Sequence, residues 1–550
     1  MNRNVESHFS QLPNVDISRS RFDRSSSVKT SFNVGELIPF YVDEVLPGDT
    51  FKVKTSKVIR MQPMVAPIMD NVYLDTYYFF VPNRLVWTHW RELMGENTQS
   101  AWIPTTEYSV PQVESPSGGW NIGTIADYMG VPTGVEGLSI NALPFRAYSL
   151  ICNEWFRDEN LTDPLVFPTG DVKTTGSNGN NYLVDVAAGG KPFLAAKYHD
   201  YFTSCLPSPQ KGPDVTIPIA QLADMPVYTS AETHSLSQYA LSFNNIGGDT
   251  LATHPLYARR NGSKTTAAID ASTVSGKTVE DAIPNNLFAA GSNALTATSI
   301  NELRRAFQIQ KLYERDARGG TRYVELLKSH FGVTSPDARL QRPEYLGGNR
   351  VPITINQVLQ QSATVEGSTP QGTPTGLSLT SDTNSDFTKS FVEHGFVIGV
   401  MVARYDHTYQ QGLNRMWSRK SRFDYYWPVF ANIGEQAVLN KEIYAQGLAK
   451  DNEVFGYQEA WADYRYRPNI CTGEMRSQAV KSLDVWHLGD DYSSLPSLSD
   501  AWIREDKSNL DRSLAVNSSV SNQLWADIYV QNICTRPMPM YSIPGLIDHH

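Results

Sequence analysis

The residue pattern with the most direct chemical reading is ASTVSGKT at 271–278. With Ala in the first glycine position it fits a relaxed phosphate-binding loop, in which backbone N–H groups and a lysine converge on phosphate oxygens. Such a loop needs a buried strand before it and a helix after it. The preceding NGSKTTAAID makes a poor strand, and Pro284 interrupts any following helix, so the setting for nucleotide chemistry is missing. His394 and His407 flank an apolar run with Asp406 beside the second, a donor set that suits a divalent metal. Two histidines separated by a whole strand are more often structural or surface residues, and no H-E-x-x-H, G-x-S-x-G or G-x-G-x-x-G accompanies them. The 57 acidic residues also permit a carboxylate pair for glycoside hydrolysis, at a separation of about 5 to 10 Å that the fold sets rather than the sequence. No such pair stands out. The residues therefore give no catalytic group, no cofactor site and no metal ligand.

The most informative charged stretch is RYDHTYQQGLNRMWSRKSRFDYYWP at 404–428. Arg404, Arg415, Arg419, Lys420 and Arg422 outnumber Asp406 and Asp424, and rings are interleaved throughout. Cations beside exposed rings are what single-stranded nucleic acid requires, because its unpaired bases can stack. Arg415, Trp417, Arg419, Lys420 and Arg422 are the candidates for that role, joined by Arg19, Arg21 and Arg24 in the N-terminal segment. Tyr, Trp and Arg are equally the residues of protein–protein interfaces, and Tyr425, Tyr426 and Trp427 are candidates for contact between subunits.

A scaffold must position these groups. A chain of 550 residues exceeds one ordinary core, and 41% hydrophobic content supports folded domains. With 27 Tyr, 22 Phe, 37 Gly and 32 Pro, the composition suits strands and loops better than a helical bundle. A net charge of −10 argues against a free-standing nucleic-acid binder, so any such contact is a local patch. Cys152, Cys205, Cys471 and Cys534 form no C-x-x-C pair and read as buried free thiols. The opening MNRNVESHFSQLPNV lacks the apolar stretch of an export signal, and no later run is long enough to span a bilayer.

Along the chain, residues 1–30 read as a basic arm with little core of its own. Residues 37–46 are apolar-rich, Pro47-Gly48-Asp49 is a turn, and 51–54 alternate as a half-buried strand does. VYLDTYYFFV at 72–81 reads as a strand buried on both faces, and 85–93 as a short helix. Residues 207–298, rich in Ser, Thr, Asn, Gly and Ala, read as a surface insertion. Ser299-x-x-Glu302 is a capping box that starts a helix ending at Gly319-Gly320, and 323–331 is a second helix. Residues 361–386 read as a second polar loop, 396–403 as a buried strand and 524–531 as a half-exposed one. The proline-rich tail RPMPMYSIPGLIDHH reads as an extended arm. Segments 31–206 and 299–550 thus form two parts of one core.

LPFRAYSLICNEWFRDENL at 143–161 predicts a helix over 144–157. Pro144 suits a first helical position, and Phe145, Tyr148, Cys152 and Trp155 fall on one stripe. Arg146, Arg157, Asp158 and Glu159 edge that stripe, while Phe156 must face a second surface; Trp155 and Phe156 are further candidates for contact between subunits. The wording PFRAY…NEWFRD resembles the major capsid proteins of small single-stranded DNA phages, the microviruses, and the gokushovirus branch in particular. RRAFQIQKLYERDARGGTRY, QRPEYLGG and FDYYWP extend the resemblance through the middle of the chain. It implies a mainly β fold, an eight-stranded antiparallel jelly roll with long loop and helical insertions. It implies a small icosahedral shell of about sixty copies enclosing a circular single-stranded DNA genome. Its further partners would be a small basic DNA-packaging protein, a pilot (minor capsid) protein and a host cell-surface receptor, with assembly in the host bacterial cytoplasm. By length and composition, 207–298 matches the insertion that forms protrusions at the threefold axes. The alternative reading of the residues is a carbohydrate-binding or glycoside-hydrolysing β-rich protein.

Overall fold

The computed structural model describes residues 18–98, 106–213, 300–320, 322–333, 341–361 and 370–541, with residues 215 and 364 and short strands between 227 and 289. ASTVSGKT at 271–278, Ser299 of the capping box and residues 542–550 of the tail lie outside the described residues. Two compact units are present, one made of residues up to 209 and from 316 onward, the other of Gln210–Arg315.

Nine strands organise the first unit. In chain order these are β1 (Ser20–Asp23), β2 (Ser26–Phe32), β3 (Ile38–Val45), β4 (Thr50–Met61), β5 (Val72–Pro82), β6 (Glu344–Pro352), β7 (Thr380–Ser390), β8 (Gly395–Tyr405) and β9 (Leu524–Arg536). β1 and β2 both pair with β9 and act as one strand interrupted at Arg24 and Ser25. The first sheet runs from this pair through β9 and β4 to β7, and the second through β6, β5, β8 and β3. Every pairing in both is antiparallel. Counted this way, eight strands form two four-stranded sheets, with connections that pass from sheet to sheet: a jelly roll.

The two sheets differ in pattern for a physical reason. In β4, Phe51, Val53, Ile59 and Met61 point into the core while Lys52, Lys54 and Arg60 point to water. β9 does the same with Leu524, Ala526, Ile528 and Val530 against Trp525, Asp527, Tyr529 and Gln531. A sheet with one wet face needs this period of two. β5 and β8 are apolar nearly throughout because their second face is covered as well. There Phe79, Val81, Ile398, Val400 and Val402 meet Leu143, Phe145, Tyr148 and Ile151 of α1 (Leu143–Ile151). Each such side chain taken out of water contributes roughly 1.5–3 kcal/mol.

Between the sheets lies a polar pillar. Lys57, on the inward face of β4 with its side chain 1% exposed, donates to Thr76 Oγ1 at 3.2 Å and to Asn349, and pairs with Asp382 at 3.2 Å. Burial pushes the Lys57 ammonium down from its ordinary value, against the nearby Asp382 and Asp386. At β6 the chain passes so close to β5 that a side chain on Gly348, which sits at φ +151°, would run into the Thr76 carbonyl.

Several expectations need correction. Of the arm read at 1–30, residues 1–17 lie outside the described residues, and 20–23 and 26–30 are strand because β1 and β2 pair with β9, although none of the described residues up to 30 is buried. The segment 361–386, read as a polar loop, is strand over most of its length from Pro374 onward, because Pro374–Ser378 forms a hairpin with Ile355–Leu359 and β7 enters the first sheet. The short helix at 85–93 is two separate turns, Asn83–Val86 and Trp90–Leu93. After Ile151 the chain widens into a π-helical turn, Cys152–Phe156. Phe145, Tyr148 and Cys152 are buried as one stripe, but the wider turn shifts the phase and leaves Trp155 40% exposed. Arg146 does not edge the stripe. It is buried, donating to the carbonyls of Val86 at 3.3 Å and Gly170 at 3.0 Å, and burial pushes its guanidinium down to about 10.

In the second unit the strands Lys264–Ile269, His254–Asn261, Ser242–Asn245 and Ala282–Pro284 form an antiparallel sheet in that order. Helix α2 (Ile300–Gly319) ends at Gly320, whose φ of +87° stops a helix, and α3 (Tyr323–Phe331) follows.

Candidate interaction surfaces

The charged aromatic stretch leaves β8 and enters three short 3₁₀ turns, Arg415–Ser418, Arg422–Asp424 and Pro428–Phe430. Local polar groups define these turns. Asn414 Oδ1 accepts from the Met416 N–H at 3.0 Å, and Asp424 Oδ2 accepts from the N–H groups of Lys420 at 2.8 Å and Ser421 at 2.7 Å. Those backbone donors hold the Asp424 carboxyl below its ordinary value. Trp427 Nε1 donates to the Arg422 carbonyl at 2.9 Å.

The cations of the stretch have different fates. Arg419 forms an ion pair with Asp463, lies 4.3 Å above the Tyr464 ring and 5.5 Å from that of Tyr425, and its side chain is 9% exposed. Arg415 donates to the Ala437 carbonyl at 2.5 Å and lies 3.7 Å from the buried Glu442. Arg404 pairs with Asp75 at 2.7 Å, and both it and Arg350 lie over the Tyr198 ring, at 4.3 and 4.4 Å. Lys420 and Arg422 remain exposed, with Arg422 4.8 Å over Phe423. The rings, in contrast, face water: Trp417 is 71% exposed, and Phe423, Tyr425, Tyr426 and Trp427 are about half exposed or more. Met416 and Val429 stand out beside them, which the sequence reading passed over because neither is charged or aromatic.

Trp155 and Phe156 join Tyr77, Phe79 and Tyr345 in a cluster of rings on the outer face of the second sheet, with Phe79 and Trp155 5.4 Å apart and Tyr77 and Phe156 5.3 Å apart. Trp155 Nε1 donates to the Pro343 carbonyl at 3.1 Å. The cluster lines a cleft of about 530 Å³ that also includes Lys197, Tyr198 and Arg404. In the N-terminal segment Arg19 and Arg21 are exposed, while Arg24 forms an ion pair with the buried Asp43.

His407 belongs to none of these surfaces. It is buried, with Nδ1 2.9 Å from Asp490 Oδ1 and Nε2 3.0 Å from Glu505 Oε1. Its two carboxylate neighbours come from the distant connection that precedes β9, so the site is invisible as a local motif. His394 instead meets the Trp90 ring edge-on at 5.5 Å. Among the described residues no cluster of three or more His, Cys, Asp or Glu could hold a metal ion, and no helix is long and apolar enough to cross a membrane.

Comparison with known proteins bears on these surfaces. The family described as capsid protein (F protein) matches residues 10–546. The chain is 44% identical over 548 residues to capsid protein VP1 of Spiroplasma virus 4, covering 98% of this chain and 97% of the relative. It is 42% identical over 548 residues to capsid protein VP1 of Bdellovibrio phage phiMH2K, covering 99% and 98%. It is also 42% identical over 593 residues to capsid protein VP1 of Chlamydia phage 1, covering 98% of each.

Proposed function

The chain belongs to the family of phage capsid proteins (F protein) and is a major capsid protein of the virion; from that premise we propose that about sixty copies close into an icosahedral shell around a circular single-stranded DNA genome. The observation that carries this reading is the exposed aromatic segment from Trp417 to Val429. Its turns are pinned from within by Arg419, Asp424 and Asn414, so the rings are held rigidly outward at little ordering cost. A rigid cluster of Trp, Tyr and Phe is the composition of an interface hot spot, and a patch that meets a different patch on the next copy generates closed rings. Trp155 and Phe156, which line the aromatic cleft, would form a second interface.

Arg19, Arg21, Lys420 and Arg422 are left as exposed cations for nucleic acid. Arg24, Arg415 and Arg419 are occupied by Asp43, Glu442 and Asp463, so positioning is the role that suits them. A small basic packaging protein would offset the −10 charge of each copy against an acidic genome. The insertion at 207–298 would form the threefold protrusion and meet the host receptor, with a pilot protein as a minor component. No catalysis is assigned.

The test is sedimentation of the purified full-length protein and of a variant with Trp417→Ser, Phe423→Ser and Trp427→Ser. The unaltered protein is expected to give one very large species, and the variant a small species with an unchanged circular-dichroism spectrum. Shell formation by the variant at the unaltered yield would remove the segment from the interface.

A further inference from the structure

We propose that the open face of the first sheet is a platform for single-stranded nucleic acid; the inference rests on the shell reading only for how the polymer reaches that face. Strand register places the relevant groups in rows. Trp525 on β9 lies opposite Arg60 on β4 and Ser31 on β2, and Tyr529 lies opposite Ser56 and Ser27. The two rings are 41% and 46% exposed and make no ring contact among the described residues. Four residues apart on one strand, they stand about 13 Å from each other on the same face.

The charge on this face reverses that of the chain. Lys52, Lys54 and Arg60 are exposed there and form no ion pair among the described residues. Lys29 and Asp527 make a loose, exposed pair at 3.4 Å, a contact worth little. Arg21 adds a fifth cation at the edge, beside Asp23. Among the strand residues of the face, Asp23 and Asp527 are the carboxylates. β7 contributes the exposed hydroxyls of Ser381, Thr383 and Ser385. Five cations against two carboxylates, in a chain of net charge −10, is a local concentration of positive charge.

This combination selects for its ligand. Unpaired rings at strand spacing match the exposed π-faces of unpaired bases, and the flanking lysines match the backbone that joins them. A duplex presents no base faces to such rings, so it would gain only the charge contact. A second copy of this chain would bring its own excess of negative charge but nothing that calls for two isolated rings.

The test uses the full-length protein under disassembling conditions and a fluorescein-labelled oligothymidylate of about 16 nucleotides, read by anisotropy across a salt series. Lys52→Thr, Lys54→Thr and Arg60→Thr together should lower the slope of log affinity against log salt by about 2. Trp525→Thr or Tyr529→Thr should each weaken binding roughly five- to hundredfold, with a much smaller change for a duplex of equal length. Ultraviolet cross-linking of filled particles needs no variant and should label the peptide that holds Trp525 and Tyr529. Unchanged affinity and slope in these variants, or cross-links confined to other segments, would overturn the proposal. So would a change in subunit association with oligonucleotide binding intact, which would give the face to a second copy. Failure of the unaltered protein to form any large species would count against the shell and leave the binding result to be judged by itself.

Discussion

Replacing His407 reports directly on how the long connection between β8 and β9 is held. Its two ring nitrogens face Asp490 and Glu505 at 2.9 and 3.0 Å, and two carboxylate acceptors need two donors, which imidazolium supplies and neutral imidazole does not. Burial alone disfavours the charge, but Glu505 and Asp490 outweigh it and push the pKa from 6.5 up to about 10. A value raised by folding means that the contribution is complete below about pH 6.5 and gone above about pH 10. Between those limits stability should fall by about 1.4 kcal/mol per pH unit from this group. Asp490 has the opposite sign. Burial works against its charge, yet His407 and Lys197 hold its carboxyl well below the ordinary range, so its contribution is lost on strong acidification.

Near pH 6 both contributions are intact, and there His407→Gln should do the most damage. Glutamine supplies a donor group for one carboxylate and leaves the other buried without its cation, at a cost of roughly 3–5 kcal/mol. The assay is urea unfolding of the disassembled full-length subunit, followed by tryptophan fluorescence from pH 6 to pH 10. The unaltered protein should lose stability steadily across this range, while the variant starts lower and declines less, so that the curves converge toward the alkaline end. A variant with an unchanged midpoint at pH 6, or with the same alkaline slope as the unaltered protein, refutes the reasoning.

Arg419→Ser should free the aromatic segment by leaving Asp463 without its cation, a loss on the order of 3 kcal/mol; limited chymotrypsin digestion should then cut near Tyr425 faster than in the unaltered protein. All four cysteines are buried and free, with burial pushing the thiols of Cys152 and Cys205 up, so a thiol reagent should modify none in the native protein and all four in urea. Deleting residues 215–290 should leave the first unit soluble, with an unfolding free energy in urea within about 1 kcal/mol of the unaltered protein.

Where a strand has one face in water, the sequence announces it: Phe51-Lys52-Val53-Lys54 and the run from Leu524 to Gln531 alternate as the structure does. Where both faces are covered, as in β5 and β8, a continuous apolar run says so equally well. β7 escaped because its inward side is not apolar. Asp382 meets Lys57 and Asn349, and Asp386 accepts from Thr55, so polar partners inside the barrel make a core strand read as a loop. The phase of Trp155 was lost to a π turn, which inserts a residue into a pattern that assumes an ideal helix. At the candidate surfaces, composition identified the right segment but not the use of each cation. Arg419 looks free in sequence, and its partner Asp463 is found only by folding.

The jelly roll also explains why so much chain can hang from it. β5 ends at Pro82 and β6 begins at Glu344, yet Glu344 sits opposite Phe80, so the long connection returns to the ladder almost where it left. Closing a loop costs only about 0.6 kcal/mol more for each doubling of its length, and the ladder on both sides fixes its ends whatever lies between. That freedom does not extend to every part of the connection. Its first portion supplies α1, which covers Phe79, Val81, Ile398, Val400 and Val402 on the outer face of the second sheet. Removing Gln210–Arg315 takes away a unit with its own contacts, whereas removing α1 would expose a continuous apolar face of the barrel. The two deletions should therefore differ in outcome, because α1 belongs to the core that covers the second sheet.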